Sequence, residues 1–478
     1  MTDVAVIGCG VVGAAVAYAL AGYDLTVRVL EAENDVACGT TKANSGILHA
    51  GYDPEPGTLM ARLNLEGNRL AGEICEKLDV PMRRTGSLVI ALDPAQLDTL
   101  QELYRRGTAN GVPGLRLLSS EEARQMEPAL SESVCGALLA PSAGVVSPWE
   151  YALAMAENAV ENGVQLQLNT RVEDIQKTEA GWKLITSQGE VEARYVINAA
   201  GVQAGQLHAM AAPLDFTTIP CRGEYYLLDK SQGDLVKHVI FQCPSKAGKG
   251  VLVAPTAHGN IIVGPNAEDL PQADTATTAQ GLAEVAEKAR LSLPGLDLRT
   301  SIRNFAGVRA NTDQPDFVIR WAAEGFLDLA GMKSPGLTAA AAVGEYACQL
   351  LEQAGLAMQP RPRKVETRKK VRFRELSAEQ KAQLVASRPA YGRVICRCET
   401  ITEGEILAAC DGPIPPCSID GVKRRTNAGM GRCQGGFCGP RVLEILAKRL
   451  GRSPRDILQE NAGSEILLEQ TKQGRDVQ

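Results

Sequence analysis

The feature that most constrains the fold lies at the start of the chain. Val4-Ala5-Val6-Ile7 is a short β-branched run that passes directly into Gly8-Cys9-Gly10-Val11-Val12-Gly13 and then into a helical pattern from Ala14 to Ala21. This reads as strand, tight turn and helix. In that geometry Gly8 permits the turn, Gly10 lets the backbone approach a pyrophosphate, and Gly13 lets helix and strand pack closely, while the helix N-terminus favours negative charge. A second strand, Thr26 to Leu30, ends in Glu31, where a carboxylate accepts hydrogen bonds from both ribose hydroxyls of an adenosine. Glycines alone are a weak signal, but strand context plus the acid favours dinucleotide binding over a chance glycine turn. Cys9 reads as a small packing residue.

The chain of 478 residues exceeds one ordinary core, and its length predicts about two to four domains. With 45% hydrophobic and 22% charged residues, and no apolar run long enough to span a bilayer, it reads as soluble. The N-terminus shows no export signal, which predicts a cytoplasmic protein. A net charge of −6 spread along the chain argues against nucleic acid or an anionic membrane as main partner; the local exception is the basic run from Arg361 to Arg374. Of 13 cysteines, those up to Cys348 are scattered, whereas the rest crowd between Cys396 and Cys438. In a reducing cytosol that crowding asks for a metal or a cluster rather than disulfides.

The ribose site is followed by Cys38-Gly39-Thr40-Thr41-Lys42-Ala43-Asn44-Ser45-Gly46-Ile47-Leu48-His49-Ala50-Gly51, glycine-rich, polar and suited to wrap a long cofactor. The stretch resembles the D-amino-acid-oxidase-like flavoprotein family, and the resemblance implies FAD, with Thr40, Thr41, Asn44 and Ser45 contacting it. It also places His49 near the flavin ring, where an imidazole can take the alcohol proton during hydride loss. A polar packing residue beside the cofactor is an equal reading of His49.

Two later segments carry the same resemblance. Tyr195-Val196-Ile197-Asn198-Ala199-Ala200-Gly201 reads as a buried strand ending in small residues, and the family's turn at this place implies that Ala200 and Gly201 lie against the cofactor. An ordinary parallel strand with a glycine stop explains the segment almost as well. Phe305-Ala306-Gly307-Val308-Arg309 is followed by Gly325 to Thr338 and an alanine-rich helix. By resemblance Arg309 grips an anionic substrate, a role suited to a planar, permanently charged fork, while Gly331, Gly336, Leu337 and Thr338 frame the isoalloxazine. The alternative for Arg309 is a solvated loop arginine. Between these segments, β-patterned runs at Ile219–Leu228, Gly250–Pro255 and Ile261–Pro265 predict an antiparallel sheet roofing the substrate. Arg222 and Tyr226 are candidates to face it, although Tyr225 and Tyr226 also read as neighbouring strand residues on opposite faces.

Near the C-terminus, Cys396-Arg397-Cys398 and Cys433-Gln434-Gly435-Gly436-Phe437-Cys438 supply four thiolates, enough for a [2Fe–2S] cluster. Surrounding glycines leave backbone amides free to approach cluster sulfurs. Structural zinc also takes four cysteines, but C-x-C with C-x₄-C is not its usual pair of knuckles. Asn427 to Cys438 resembles the bacterioferritin-associated-ferredoxin-like [2Fe–2S] domain, which implies Cys396, Cys398, Cys433 and Cys438 as ligands. Cys410 and Cys417 are not needed for a four-thiolate site.

The expected architecture is α/β. A Rossmann-type FAD-binding domain spans 1–356, with an inserted antiparallel-sheet substrate domain at about 81–140 and 216–300. A basic exposed linker follows at 357–390, then a small [2Fe–2S] domain at 391–455 and a tail at 456–478. The combination resembles the family of anaerobic glycerol-3-phosphate dehydrogenase large subunits. That resemblance implies oxidation of a small anionic alcohol, sn-glycerol 3-phosphate, with electrons leaving through the cluster to an electron-accepting protein subunit. It implies no direct membrane span, with any membrane association made through a partner. The competing expectations are an L-2-hydroxy acid such as 2-hydroxyglutarate, whose dehydrogenases the stretch Asn44 to Gly51 also resembles, and a non-catalytic FAD and iron–sulfur electron-transfer subunit.

Overall fold

Apolar β-branched residues at Val4, Val6, Val27 and Val29 are all buried, as strands covered on both faces require. In the computed structural model, which describes residues 1–244 and 250–469, they lie in Thr2–Ile7 and Val27–Leu30, paired in parallel. Gly189–Asn198 joins the other side of Thr2–Ile7, Gln165–Gln167 extends the sheet beyond Val27–Leu30, and Phe326–Ala330 adds to Gly189–Asn198, each in parallel. Antiparallel strands Val172–Thr178, Gly181–Thr186 and Val318–Ala323 complete this eight-stranded sheet. Helix Val11–Leu20 is buried along most of its length and packs against helices Pro148–Glu161 and Gly336–Gln353. Close approach explains its alanines and the facing glycine: a Cβ on Gly344 would stand 2.6 Å from the Ala15 carbonyl oxygen.

A second, nine-stranded sheet contains the strands expected to roof the substrate. The expected antiparallel roof is mixed, because Val239–Gln242 pairs in parallel with Ser87–Ala91. It also extends past the expected segment, since Ser301–Thr312 pairs along the whole of Thr218–Leu228. No local signal in 301–312 announces that partner, which comes from some eighty residues earlier in the chain.

The chain divides into two compact units, one of Met1–Ala32 with Val36–Arg368, the other of Glu33–Asp35 with the chain from Lys369 onward. Much of the segment expected to be an exposed linker is exposed, but three arginines of its basic run are engaged. Arg361 Nη2 donates to the Asn162 carbonyl at 2.6 Å, Arg363 Nη1 to Asn158 Oδ1 at 2.9 Å, and Arg368 pairs with Glu157 at 2.7 Å with both side chains buried. Helix Pro148–Glu161 supplies these acceptors from one end, so the arginines fold onto their own unit instead of facing water.

In the second unit, short helices Glu403–Cys410, Ile419–Thr426 and Gly439–Leu450 enclose a core of Ile406, Val422, Leu446 and Ile457. Capping boxes at Ser377 and Thr402 start two of its helices. The expected tail is partly structural: Ile457 is fully buried, and Leu458 and Gln459 carbonyls accept from Ile419 and Asp420 amides. Residues 470–478 of that tail lie outside the described residues. Among the described residues, no helix is long and apolar enough to cross a membrane.

Candidate functional site

Gly8 has φ +96°, and a Cβ there would lie 2.7 Å from the Ala199 carbonyl oxygen; a Cβ on Gly13 would lie 1.9 Å from the Gly8 carbonyl oxygen. The loop therefore needs glycine at both positions, and it passes against Ala199-Ala200. Glu31 is buried at the end of its strand, and its Oε2 accepts from the Cys9 amide at 2.6 Å. The carboxylate is thus seated at the glycine loop itself. Thr41 Oγ1 accepts from the Val11 amide at 2.9 Å and stands 3.3 Å from where a Gly10 Cβ would be, so the polar stretch runs beside the helix N-terminus. These features fit an FAD: a bare glycine turn, an acid beside it, and a second segment laid along the helix start.

The same stretch is held from within. Asn44 Nδ2 donates to the Thr40 and Thr41 carbonyls at 3.2 and 2.8 Å, and its Oδ1 accepts from Gly46 at 2.8 Å. Asn44 therefore clamps the loop expected to lie along the cofactor. Thr40 Oγ1 donates to the Val308 carbonyl at 2.6 Å, one residue before Arg309. A Cβ on Gly307 would lie 1.8 Å from the Ala43 carbonyl oxygen, so only glycine lets the arginine strand cross this loop. Ser45 is half-buried beside it.

His49 is fixed through its backbone. Its amide donates to Thr338 Oγ1 at 2.9 Å, and its carbonyl accepts from Asn64 and Asn68 at 3.2 and 3.0 Å. The imidazole, half-buried, stacks on Phe241 at 5.7 Å and has Nε2 3.1 Å from Ser334 Oγ. Thr338 in turn donates to the Ile47 carbonyl at 3.3 Å, which joins the start of helix Gly336–Gln353 to the His49 segment. Gly331 turns at φ +67° into this segment, Gly336 opens the helix and Leu337 follows half-buried. Gly201, at φ +59°, begins the turn after Ala200.

The two candidate arginines occupy opposite faces of the second sheet. Cys221 pairs with Arg309 and Gly223 with Gly307, so Arg309 shares a face with Cys221, Gly223 and Tyr225. Arg309 Nη2 donates to the Asn266 carbonyl at 3.0 Å, and the buried Tyr225 lies within hydrogen-bonding reach and stacks on Phe305 at 4.8 Å. Arg222 falls on the other face, under helix Ala279–Ser292, where Tyr226 donates to the Leu282 carbonyl at 3.1 Å. Its guanidinium meets Glu268 at 2.7 Å, Asp274 at 3.2 Å and Glu224 at 3.7 Å, and the hydrogen bond to Glu268 raises its pKa further. The expectation that Arg222 faces a substrate is corrected: three carboxylates already engage it, on the face away from Arg309.

In the second unit the four cysteines come as two pairs. Cys398 Sγ lies 3.7 Å from Cys433 Sγ, and Cys396 hydrogen-bonds Cys438. That bond, with the Gly429 and Glu399 amides, brings Cys396 down to about 6 against the effect of burial. Amides of Phe437 and Gly435 likewise lower Cys433. Positive φ at Asn427, Gly429, Gln434 and Gly435 turns successive N–H groups inward, a concave anion cradle. A Cβ on Gly431 would stand 2.2 Å from Cys398 Cβ. Two thiol pairs with amides directed at their sulfurs suit the two irons of a [2Fe–2S] cluster. Cys410 and Cys417 have their pKa raised, chiefly by burial, and Cys417 Sγ bonds the Asn34 carbonyl at 3.3 Å.

Residues 3–350 match the family described as FAD dependent oxidoreductase. The chain belongs to that family. Residues 394–448 match the BFD-like [2Fe-2S] binding domain, so the oxidoreductase uses FAD and a [2Fe–2S] cluster. It is 48% identical over 476 residues, 99% of each chain, to glycerol 3-phosphate dehydrogenase of Caloramator mitchellensis. Its fold superposes on the dithionite-reduced, FAD-bound L-alpha-glycerophosphate oxidase of Mycoplasma pneumoniae with a TM-score of 0.73 and 31% identity, over 77% of this chain and 98% of that one. Human mitochondrial L-2-hydroxyglutarate dehydrogenase is 32% identical over 285 residues, 55% of this chain and 60% of that protein.

The structure of this FAD-dependent oxidoreductase joins His49 to Thr338, gathers Glu31 and Thr41 at the glycine loop, and ties the Arg309 strand to Thr40. It adds residues that sequence reasoning missed: Phe241 on the imidazole, Ser334 at its Nε2, Asn64 and Asn68 on its carbonyl, and Tyr225 at Arg309. Tyr225 was legible from strand alternation once the face of Arg309 was known; Phe241 and the two asparagines carried no local signal.

Proposed function

We propose that this oxidoreductase converts the secondary alcohol of sn-glycerol 3-phosphate into the ketone of dihydroxyacetone phosphate and passes the electrons through its cluster to a protein acceptor. The observation that carries the reading is the full-length, 48% identical likeness to a glycerol 3-phosphate dehydrogenase, which spans both units. When bound, FAD accepts the hydride from the carbinol carbon and the cluster takes electrons one at a time. His49 accepts the hydroxyl proton at an imidazole nitrogen, held in place by Thr338, Asn64, Asn68 and Phe241. Arg309 binds the substrate's anionic group through its fork, oriented by the Asn266 carbonyl. Cys396, Cys398, Cys433 and Cys438 hold the cluster, and inward amides stabilise its negative charge.

Anaerobic addition of glycerol 3-phosphate is expected to bleach the flavin band, and 2-hydroxyglutarate is not. The opposite pattern transfers the assignment to 2-hydroxy acids, in line with the partial likeness to the human enzyme. Bleaching by neither alcohol supports a non-catalytic electron-transfer subunit. In His49→Asn, bleaching slows and loses its acid limb with pH; an unchanged pH profile excludes the base role.

A further inference from the structure

Phe437 is 81% exposed, the highest exposure of any large apolar side chain among the described residues. It sits directly before Cys438, and its own amide bonds the Cys433 sulfur. Two exposed arginines flank the cysteines: Arg397 between Cys396 and Cys398, and Arg441 in the first turn of helix Gly439–Leu450, which follows Cys438. The neighbouring acid Glu399 is buried and meets Arg374 at 3.2 Å, while Glu403 is taken by Arg393 at 2.7 Å. The nearest exposed acid on that helix, Glu444, stands a turn further along. In a chain of net charge −6, this local pair of cations runs against the trend. The basic run at Arg361–Arg368, the alternative steering surface, spends its arginines on Asn162, Asn158 and Glu157.

The sulfurs themselves differ in access. Cys398 is exposed and Cys433 half-buried, whereas Cys396 and Cys438 are 1% and 2% exposed. Electron transfer falls steeply with distance, so an acceptor must approach on the Cys398 and Cys433 side. Aromatic and arginine side chains are the residues that carry energy in protein interfaces, and complementary charge raises encounter rates without a large buried area. We propose that Phe437 with Arg397 and Arg441 forms the docking face for the electron acceptor, a redox protein that presents acidic residues around an apolar spot. The proposal rests on the cluster being the electron exit of the reaction above.

The test uses stopped-flow reduction of two redox proteins by the full-length holoprotein, reduced with dithionite so that its outcome does not depend on the substrate assignment. Acidic plastocyanin is expected to be reduced about tenfold faster than basic cytochrome c at low ionic strength, with the advantage lost at about 0.5 M NaCl. Arg397→Gln and Arg441→Gln together should remove most of that advantage, and Phe437→Ser should slow plastocyanin at every salt concentration. Flavin bleaching by glycerol 3-phosphate and the visible cluster spectrum should stay unchanged. If substitutions next to the ligands lose iron, Arg441→Glu alone, a turn away on the helix, must still slow plastocyanin. Equal or faster reduction of cytochrome c overturns the proposal, as does plastocyanin reduction indifferent to Arg441→Glu. It is also overturned if the arginines prove necessary for binding phosphatidylglycerol vesicles but not for plastocyanin reduction. Failure of glycerol 3-phosphate to bleach the flavin would count against the substrate alone.

Discussion

Arg309 and Arg222 show how two like residues acquire different work. Arg309 has one carbonyl, a thiol and a buried phenol around it, which orient the fork while leaving donors for an anion. Arg309→Ala is expected to lower kcat/KM for glycerol 3-phosphate by about 2–4 kcal/mol in transition-state stabilisation, the scale of a buried charged contact. Steady-state kinetics check it, and an unchanged kcat/KM removes Arg309 from the site. His208 offers a second test at this scale. Its Nδ1 lies 2.6 Å from Asp328 Oδ2 and its Nε2 3.0 Å from the Pro213 carbonyl, so both ring nitrogens face acceptors and the imidazolium is the form that satisfies them. Burial alone would lower its pKa, but the bonds to Asp328 and Pro213 and the nearby carboxylates raise it. Burial also raises the Asp328 pKa, while the bonds from His208 and from Asn198 Nδ2, which donates to it at 2.8 Å, act in the opposite direction. A raised folded pKa gives stability that is full below the ordinary histidine value near 6.5 and is lost as pH rises through the folded value. Urea unfolding is therefore expected to show stability falling over that alkaline-going window, and His208→Gln to flatten the slope.

At the scale of elements, the crossing of the Arg309 strand over the Thr40–Ala43 segment joins cofactor loop to substrate sheet. Gly307 makes it possible, since a Cβ would meet the Ala43 carbonyl at 1.8 Å. Backbone on both sides leaves no flexible atom to yield. Gly307→Ala is expected to displace the loop, reducing FAD content and costing about 1–3 kcal/mol of stability from overpacking. Absorbance at the flavin band with thermal unfolding measures both; full FAD content at unchanged Tm would mean that the two segments part easily. The helix start at Gly336 acts similarly, because Thr338 bonds the His49 segment on one side and its carbonyl lies 2.2 Å from where a Gly67 Cβ would be. Thus His49, far from Thr338 in sequence, is located by a helix N-terminal turn.

For the whole molecule, iron content separates the cysteines by role. Cys433→Ser is expected to lose most bound iron, as removal of one of four thiolates should, whereas Cys410→Ser retains it, because Cys410 belongs to the helical core. Iron-to-flavin stoichiometry checks this, and iron loss in Cys410→Ser with retention in Cys433→Ser would reverse the ligand assignment. The second unit also takes in a piece of the N-terminal segment. Asp35 is buried and meets Arg424 at 2.9 Å and Arg425 at 2.7 Å, and these arginines overcome burial to hold its carboxyl below the ordinary range. Removing one partner of such a buried group is costly, which explains why a basic pair at the end of helix Ile419–Thr426 sits in a core.

The glycine loop, with Glu31 at its strand end, and the paired cysteines were legible in the sequence because each is a contiguous motif whose chemistry depends on residues a few positions apart. Register was not. Arg222 read as an arginine in a β-patterned run and Arg309 as a substrate or loop arginine, and the pairing of Cys221 with Arg309 put one under a helix among carboxylates and the other with Tyr225. Side chains alternate with period two along a strand, so a shift of one residue exchanges the faces. Likewise the basic run looked solvated until the acceptors of a distant helix drew its arginines in. The local sequence thus determined which cofactors the chain is built for. The tertiary pairing decided which side chains attend them, because faces and partners are set by segments far apart in the chain.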